Sequence, residues 1–399
     1  MAHRVVLGVS AGIAVYKACE LLRLFTESGH SVRVVPTRDA LRFVGEPTWA
    51  ALSGNPVSAE VWDSVEEVPH VRIGQSADLL VVAPATADIL AKAAHGLASD
   101  LLTNTLLTAR CPVVFAPAMH TEMWEHPATQ ANVATLRARG AIVIEPAVGR
   151  LTGADSGKGR LPDPAAIFQV CRGVLAGAVP DLAGRRVVVS AGGTREAIDP
   201  VRFIGNRSSG MQGYALARVA AARGAAVTLV AANVSLPDPA GVDVVRVESA
   251  LQLRDAVIDA VADADAVVMA AAVADFRPVA PSRTKIKKTG DEPEAIRLTK
   301  NPDILAELGE RRRAGEKSPS VIVGFAAETD DVLANGQAKL ARKGCDLLVV
   351  NQVGENLAFG TPDNAATVLV AGGEPVEIPR GPKDDLARVV WDLIAARLV

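Results

Sequence analysis

The feature that most constrains the fold is a motif that occurs twice. Near the start, Arg4-Val5-Val6-Leu7-Gly8-Val9 runs into Ser10-Ala11-Gly12 and then a helical pattern. Near the middle, Arg186-Val187-Val188-Val189-Ser190 runs into Ala191-Gly192-Gly193-Thr194. Each is an apolar, β-branched run ending in a small-residue turn. Such a run reads as a parallel strand buried on both faces, and such a turn presents backbone N–H groups to an anionic ligand. A second loop, Asn206-Arg207-Ser208-Ser209-Gly210, follows the second copy and adds hydroxyls and an Arg to the donor set. One chain therefore carries two nucleotide-type α/β domains.

The flanking pattern agrees. Strand-like runs occur at 4–9, 31–36, 78–83, 112–116 and 141–145, with helical stretches between them. In one helix, 14–28, Val15, Ala18, Leu21, Leu22 and Phe25 recur every three or four residues. The second half repeats the theme at 186–190, 226–231, 242–247, 266–271, 321–326 and 346–351, then closes with a hairpin over 367–378 and a helix over 384–398. This alternation predicts two doubly wound, Rossmann-like parallel-sheet domains. Two stretches break it. The Gly-rich 149–164 reads as a loop of the size of an active-site lid, and the polar 283–301, with Lys285, Lys287, Lys288 and Lys300, reads as a flap over a ligand. A helix at 165–175 leads into an Ala/Gly/Pro connector at 176–184, which sets the domains at 1–180 and 181–399.

A chain of 399 residues buries two cores with ease, and 49% hydrophobic with only 4% aromatic residues means cores of Val, Ala, Leu and Ile. A net charge of -3 offers no global attraction to nucleic acid or to a membrane surface. Cys19, Cys111, Cys171 and Cys345 lie far apart, without metal-ligand spacing or a disulfide framework. No signal peptide and no bilayer-spanning apolar run is legible, so the expectation is a cytoplasmic protein with reduced thiols. Gly8-Val9-Ser10-Ala11-Gly12 lacks the dinucleotide fingerprint spacing, and 152–158 lacks a Walker A glycine, which weighs against nicotinamide and P-loop chemistry.

Longer motifs are more specific. The first half carries Ser10-Ala11-Gly12-Ile13-Ala14, Ala83-Pro84-Ala85-Thr86-Ala87-Asp88 and Ala116-Pro117-Ala118-Met119. The second carries Ser190-Ala191-Gly192-Gly193-Thr194-Arg195-Glu196, Asn206-Arg207-Ser208-Ser209-Gly210, Ala272-Val273-Ala274-Asp275-Phe276, Lys285-Ile286-Lys287-Lys288, Lys300-Asn301-Pro302-Asp303-Ile304 and Gly324-Phe325-Ala326-Ala327-Glu328-Thr329. Singly, each has a blander reading: a tight turn, a solvated lysine face, a structural histidine. In this order, across both halves, the set resembles the bifunctional coenzyme A biosynthesis family, a phosphopantothenoylcysteine decarboxylase fused to a phosphopantothenate–cysteine ligase.

For the first half the resemblance implies FMN, the electron sink that an N-acylated cysteine lacks when its carboxylate leaves as carbon dioxide. It implies FMN contacts at Ser10, Gly12, Ile13, Thr37, Ala85, Thr86 and Met119, and a catalytic His70 that orients or deprotonates the substrate. Two positions depart from the family pattern. His120 stands where the family has the Asn that holds the substrate carboxylate, and a His can clamp that group, better when protonated. Gly153 stands where the family's flap has its proton-donating Cys, which leaves His120 and Asp155 as candidate donors.

For the second half the resemblance implies that CTP activates the carboxylate of 4'-phosphopantothenate as an acyl-cytidylate, which the cysteine amine then attacks. A triphosphate and a carboxylate repel, so the site needs dense positive charge and Mg²⁺, whose ligands the sequence leaves open. The implied CTP contacts are Met269, Ala270, Ala271, Asp275, Lys285, Pro302, Asp303, Ile304, Leu305, Phe325, Lys339 and Lys343. Gly193, Thr194, Arg202, Asn206 and Arg207 would hold the acyl substrate, with Asn206 and Lys285 closest to the chemistry. The resemblance further implies homo-oligomers: trimers of the flavin half and dimers of the ligase half. Two alternatives stand beside this reading: an active ligase with a scaffold-only flavin half, and a non-catalytic flavin- or nucleotide-binding regulatory module.

Overall fold

The structure, a computed structural model, describes residues 2–60, 68–151, 155–177, 181–287, 295–328, 332–352 and 363–398. It divides into two compact units, Met1–Val179 and Pro180–Val399.

In the first unit, β1 (Arg4–Val9), β2 (Ser31–Pro36), β3 (Leu79–Ala85), β4 (Val113–Pro117) and β5 (Ile142–Val143) form a parallel sheet in the order β2-β1-β3-β4-β5. The apolar runs make this sheet because successive residues feed two cores. Val5, Leu7 and Val9 face the helices Val15–Glu27 and Pro164–Leu175, whereas Val6, Leu80 and Val82 face the helices Ala87–His95 and Leu101–Thr108. Each such Val or Leu contributes about 1.5–3 kcal/mol by leaving water. The Gly-rich stretch expected to be a loop is instead an antiparallel hairpin, β6 (Ala147–Arg150) with β7 (Ser156–Arg160). Gly159 makes it possible: at φ +156° its bare α-carbon lies where a Cβ would sit 2.2 Å from the Met119 carbonyl. The position of Gly153 falls at 152–154, outside the described residues.

In the second unit the strands are β8 (Arg186–Gly192), β9 (Arg195–Ala197), β10 (Phe203–Gly205), β11 (Ala226–Ala232), β12 (Val242–Val247), β13 (Ala266–Met269), β14 (Phe276–Pro278), β15 (Leu298–Lys300), β16 (Val321–Glu328), β17 (Leu347–Gln352), β18 (Asp363–Val370) and β19 (Val376–Pro382). Eight of them form one sheet, β12-β11-β8-β13-β16-β17-β18-β19, parallel except for the two antiparallel strands at its far edge. Val187, Val189 and Ala191 face the helices Met211–Ala222 and Lys383–Ala395, where buried Trp391 donates its indole N–H to the Leu216 carbonyl at 2.9 Å. Val188 faces the helices Ala250–Val261 and Ile304–Arg313. The strand expected over 266–271 stops at Met269, since the next residues turn away to bond across to β8. The polar stretch 283–301 is not irregular throughout, because its end forms β15, which pairs with β14. β9 and β10 make a second small ribbon.

Both sheets reverse direction once in their strand order, between β1 and β3 and between β8 and β13. The carboxyl ends of those strand pairs form the crevice in which doubly wound sheets take ligands.

Candidate active sites

In the first unit the crevice is built by two turns clasped together. The Ser10 hydroxyl donates to the Pro84 carbonyl at 2.8 Å and accepts the Thr86 N–H at 3.0 Å, so β1 and β3 end in fixed register. This buries Ser10 and Ala85 and uses the hydroxyl within the protein, leaving Ser10 to shape the turn. Thr86 caps the helix Ala87–His95 by accepting the Ile89 N–H. Beside it Gly12 opens on free space, where an added Cβ would meet only the Thr86 methyl at 3.9 Å. Ile13 and Tyr16 are 71% and 61% exposed, an apolar ledge of the kind a planar aromatic group covers. Thr37 closes the neighbouring edge, donating its N–H to Val9 and accepting that of Ala40.

Met119 and His120 follow β4. The Met119 N–H donates to the Gly159 carbonyl at 2.9 Å, so the hairpin lies directly on this turn, while the His120 side chain is exposed. Asp155 is exposed at the start of β7. Lys158 and Arg137 both pair with Glu145, at 2.8 and 2.6 Å. Burial pushes the Glu145 carboxyl up, but those two cations outweigh it and hold it below its ordinary value. His70 lies elsewhere in the chain's own fold. It opens the helix Pro69–Ser76, which packs on the helix Leu101–Thr108 and is pinned there by the Thr108 hydroxyl donating to the His70 carbonyl at 2.8 Å. Its Nδ1 is buried, with no hydrogen-bond partner among the described residues.

In the second unit three segments interlock. Gly193 bridges to Ala272, Thr194 donates its N–H to the Ala272 carbonyl, and Thr194 Oγ1 accepts the Ala274 N–H at 2.9 Å. The Ala271 N–H reaches the Ser190 hydroxyl at 3.1 Å, and the Asn206 amide donates to the Val273 carbonyl at 2.9 Å. Only glycine fits at 193, because a Cβ there would sit 2.6 Å from the Asn206 carbonyl. Gly193, Thr194, Asn206, Met269, Ala270, Ala271 and Asp275 are thus brought to one edge, with the buried Thr194 hydroxyl committed to the framework.

Asn301 joins the next turn to this edge, its N–H donating to the Asp275 carbonyl and its amide to that of Ala274. The Pro302–Leu305 turn follows, where Asp303 caps the helix Ile304–Arg313 through the Ala306 N–H and pairs with Lys343. Lys343 is nearly buried; burial lowers its pKa and the Asp275 carboxylate opposes that. Leu305 covers Gly324 on β16, next to half-buried Phe325, and Lys339 is half-buried one helical turn before Lys343. Lys285 and Arg207 are exposed, and Lys288 lies outside the described residues. No described hydrogen bond joins Lys285 to the Asp275–Asp303–Lys343 group. Arg202 is engaged rather than open to substrate: it grips Asp199 with two nitrogens and donates to the Ile286 carbonyl at 2.8 Å. The Arg202 guanidinium holds the Asp199 carboxyl far below the usual carboxylate range.

Comparison with known proteins shows which family the chain belongs to. Residues 1–176 match the family described as Flavoprotein, and residues 182–398 match the DNA/pantothenate metabolism flavoprotein C-terminal domain. The Coenzyme A biosynthesis bifunctional protein CoaBC of Mycolicibacterium smegmatis is 60% identical over 405 residues, spanning 99% of this chain and 98% of that protein. The chain belongs to the bifunctional coenzyme A biosynthesis family. A more distant member, from Vibrio cholerae, is 41% identical across 98% of this chain and 97% of its own length. A crystal structure of the C-terminal domain of a protein of the same name is 37% identical, with a TM-score of 0.47, and covers 55% of this chain and 98% of that one. The chain is therefore an enzyme with a flavoprotein decarboxylase half and a ligase half, and neither alternative to that reading is favoured. Among the described residues no helix is long and apolar enough to cross a membrane, and no cluster of His, Cys, Asp and Glu gathers to hold a metal ion.

The family is recognisable from the turns of this chain, but the connecting roles of two residues are not legible there. Asp199 and Asn301 carry much of the wiring of the ligase edge. A signal for Asp199 was present, since Asp199-Pro200-Val201-Arg202 has the form of an Asx turn. Asn301 lies inside the motif 300–304, but its connecting role has no local signal, because its partners Ala274, Asp275 and Arg277 all lie well upstream in the chain.

Proposed function

We propose that the ligase half activates 4'-phosphopantothenate with CTP, releasing pyrophosphate, and couples the acyl-cytidylate to cysteine with release of CMP. The flavin half then decarboxylates the 4'-phosphopantothenoylcysteine to 4'-phosphopantetheine. The observation that supports this reading is that the family's turn motifs, apart from His70 and the Lys285 segment, lie at the carboxyl ends of the strands of both sheets.

The first crevice fits FMN. Exposed, apolar Ile13 follows Gly12 at the end of β1, a helix N-terminus sits at Thr86, and Ser10 and Thr37 hold the turns in shape. Bound FMN would supply the electron sink for loss of carbon dioxide. His120 clamps the substrate carboxylate and excludes water from it, and His120 or Asp155 delivers the final proton. His70 keeps the substrate-orienting role that the family pattern implies for it.

In the second half Met269, Ala270, Ala271, Asp275, Asp303, Phe325, Lys339 and Lys343 hold the nucleotide, with Pro302, Ile304 and Leu305 shaping its turn. Lys285 neutralises the triphosphate. Asn206, Gly193 and Arg207 hold the acyl group, and Thr194 holds the turn beneath them in shape. Mg²⁺ enters with CTP, because such a hard cation binds phosphate oxygens, keeps several waters and needs few ligands from the protein. We assign 1–180 to the decarboxylase and 181–399 to the ligase. The exposed apolar residues Val201, Phe203, Phe276, Val279 and Leu298 on and beside the two small ribbons support dimers of the ligase half. Trimers of the flavin half and a cytoplasmic setting complete the reading.

The test follows CTP, 4'-phosphopantothenate and cysteine by mass spectrometry. The expected products are pyrophosphate, CMP and 4'-phosphopantetheine. Accumulation of the cysteine adduct would remove the decarboxylase assignment, and absence of pyrophosphate would remove the ligase assignment.

A further inference from the structure

Two segments of the ligase half, 198–202 and 282–287, meet at a single buried carboxylate. The Asp199 side chain has 0% exposure. It accepts the N–H groups of Val201 and Arg202, both at 2.8 Å, which closes its own turn. It accepts the Arg202 guanidinium, with Nε at 2.9 Å. Its last contact leaves the turn altogether: the Ile286 N–H donates to Asp199 Oδ2 at 3.1 Å. Arg202 completes the grip by donating to the Ile286 carbonyl at 2.8 Å.

Both polar atoms of one residue's main chain are therefore held by the two members of an ion pair. That residue stands between Lys285 and Lys287. The segment's entry is held as well, since the Ser282 N–H donates to the Ile198 carbonyl at 2.9 Å and the Ser282 hydroxyl to the Thr284 carbonyl at 2.6 Å. A carboxylate needing only charge balance would be satisfied by Arg202 and its own turn. The additional contacts to Ile286 fix the backbone from which two exposed lysines project. An ammonium on a four-carbon stem samples a wide volume, and fixing its backbone is the means by which a fold narrows it.

We propose that Asp199 is a positioning residue of the ligase reaction, acting through Arg202 and the Ile286 main chain to hold Lys285 and Lys287 where they meet the anionic substrates. The inference rests on the proposed assignment of Lys285 to the nucleotide. It also gives Arg202 a role different from direct substrate contact: it is the second jaw of the grip.

The experiment uses the full-length protein and measures pyrophosphate release against CTP concentration. Asp199→Asn should lower kcat/KM for CTP by about 10- to 100-fold, the usual consequence of displacing a group by an ångström or so. Arg202→Lys, which keeps the cation but loses the forked geometry, should show a smaller loss in the same direction. In a Lys285→Ala, Lys287→Ala background, Asp199→Asn should cost less than about twofold more, because residues acting as one unit are not additive. Limited trypsin digestion should show faster cleavage after Lys285 and Lys287 in both single variants, relative to other sites. Full additivity with the lysine variants, or wild-type kinetics with unchanged cleavage, would overturn the proposal. If Asp199→Asn does not fold, Arg202→Lys carries the same tests. If the wild-type protein releases no pyrophosphate from CTP, the nucleotide assignment falls, while the cleavage comparison still decides whether the grip exists.

Discussion

In the flavin half the hairpin β6–β7 lies on the Met119 turn through the Met119 N–H bond to the Gly159 carbonyl, and its Lys158 makes a partly exposed ion pair with Glu145. In the ligase half the segment 282–287 is held by a carboxylate with no exposure at all. Both arrangements attach a polar segment to the carboxyl end of a doubly wound sheet. They differ in how firmly. A partly exposed pair contributes at most about 1 kcal/mol and leaves neighbouring geometries within reach. A buried carboxylate, if separated from its partners, costs several times more, so it permits essentially one register. On the proposed reading, the flavin half would surround its ligand with shape, and the ligase half with placed charge.

The contrast breaks first at its glycines. Gly192, at φ +86°, lies where a Cβ would be 2.0 Å from the Ala232 carbonyl inside the central sheet. Gly192→Ala should destabilise the ligase half by about 3 kcal/mol or more, since both the conformation and the space are wrong. Gly159→Ala meets the Met119 carbonyl comparably closely, but its hairpin can move away, so the flavin half should stay folded. Urea titrations followed by flavin absorbance and by pyrophosphate release would separate the two, and equal losses of stability would dissolve the distinction.

Placed charge makes the next largest effect. Lys285→Ala should raise the barrier to pyrophosphate release by about 2–4 kcal/mol, the scale of losing one charged contact to a developing transition state. Flavin absorbance should not change. A bleached flavin, or unchanged pyrophosphate release, would show that Lys285 has been assigned to the wrong site.

A smaller loss is expected on the flavin side. His120→Ala should slow decarboxylation of supplied substrate by roughly tenfold or more, because a carboxylate left unpaired in a closed site costs about 1–3 kcal/mol. His120→Asn should retain most of the activity with FMN still bound. Full activity in both variants would remove His120 from the mechanism.

The smallest effect tests the exposed ion pair by pH. Lys158 and Arg137 hold the Glu145 carboxyl below its ordinary value against the opposing push of burial. A depressed carboxyl contributes stability above the unfolded carboxylate range and loses it as pH falls through the folded value. Glu145→Gln should therefore lower the stability of the flavin half by about 1 kcal/mol or less at neutral pH, a difference that disappears on acidification. A difference that persists or grows in acid would mean that packing, and not charge, is what Glu145 supplies.

Much of this protein was legible before any coordinates. β1 and β2 begin and end where the apolar runs do, because a strand buried on both faces must be nearly continuously apolar and its neighbours need not be. The motif turns were legible for a related reason: small residues with exposed N–H groups at a strand end are local chemistry. The hairpin β6–β7 was not. A run of glycines carries no alternation, and its pairing depends on Gly159 resting on a turn some forty residues earlier. Nor did the residue types of Ser10, Thr194 and Arg202, each of which suits a ligand, reveal that the fold employs them internally. The chain's alternating runs and small-residue turns determined the two sheets, the crevices and the family, since those follow from neighbours in sequence. Which side chains remain available in the crevices was decided only in three dimensions, because a hydrogen-bonding group is taken up by whatever partner the folded chain brings within about 3 Å of it.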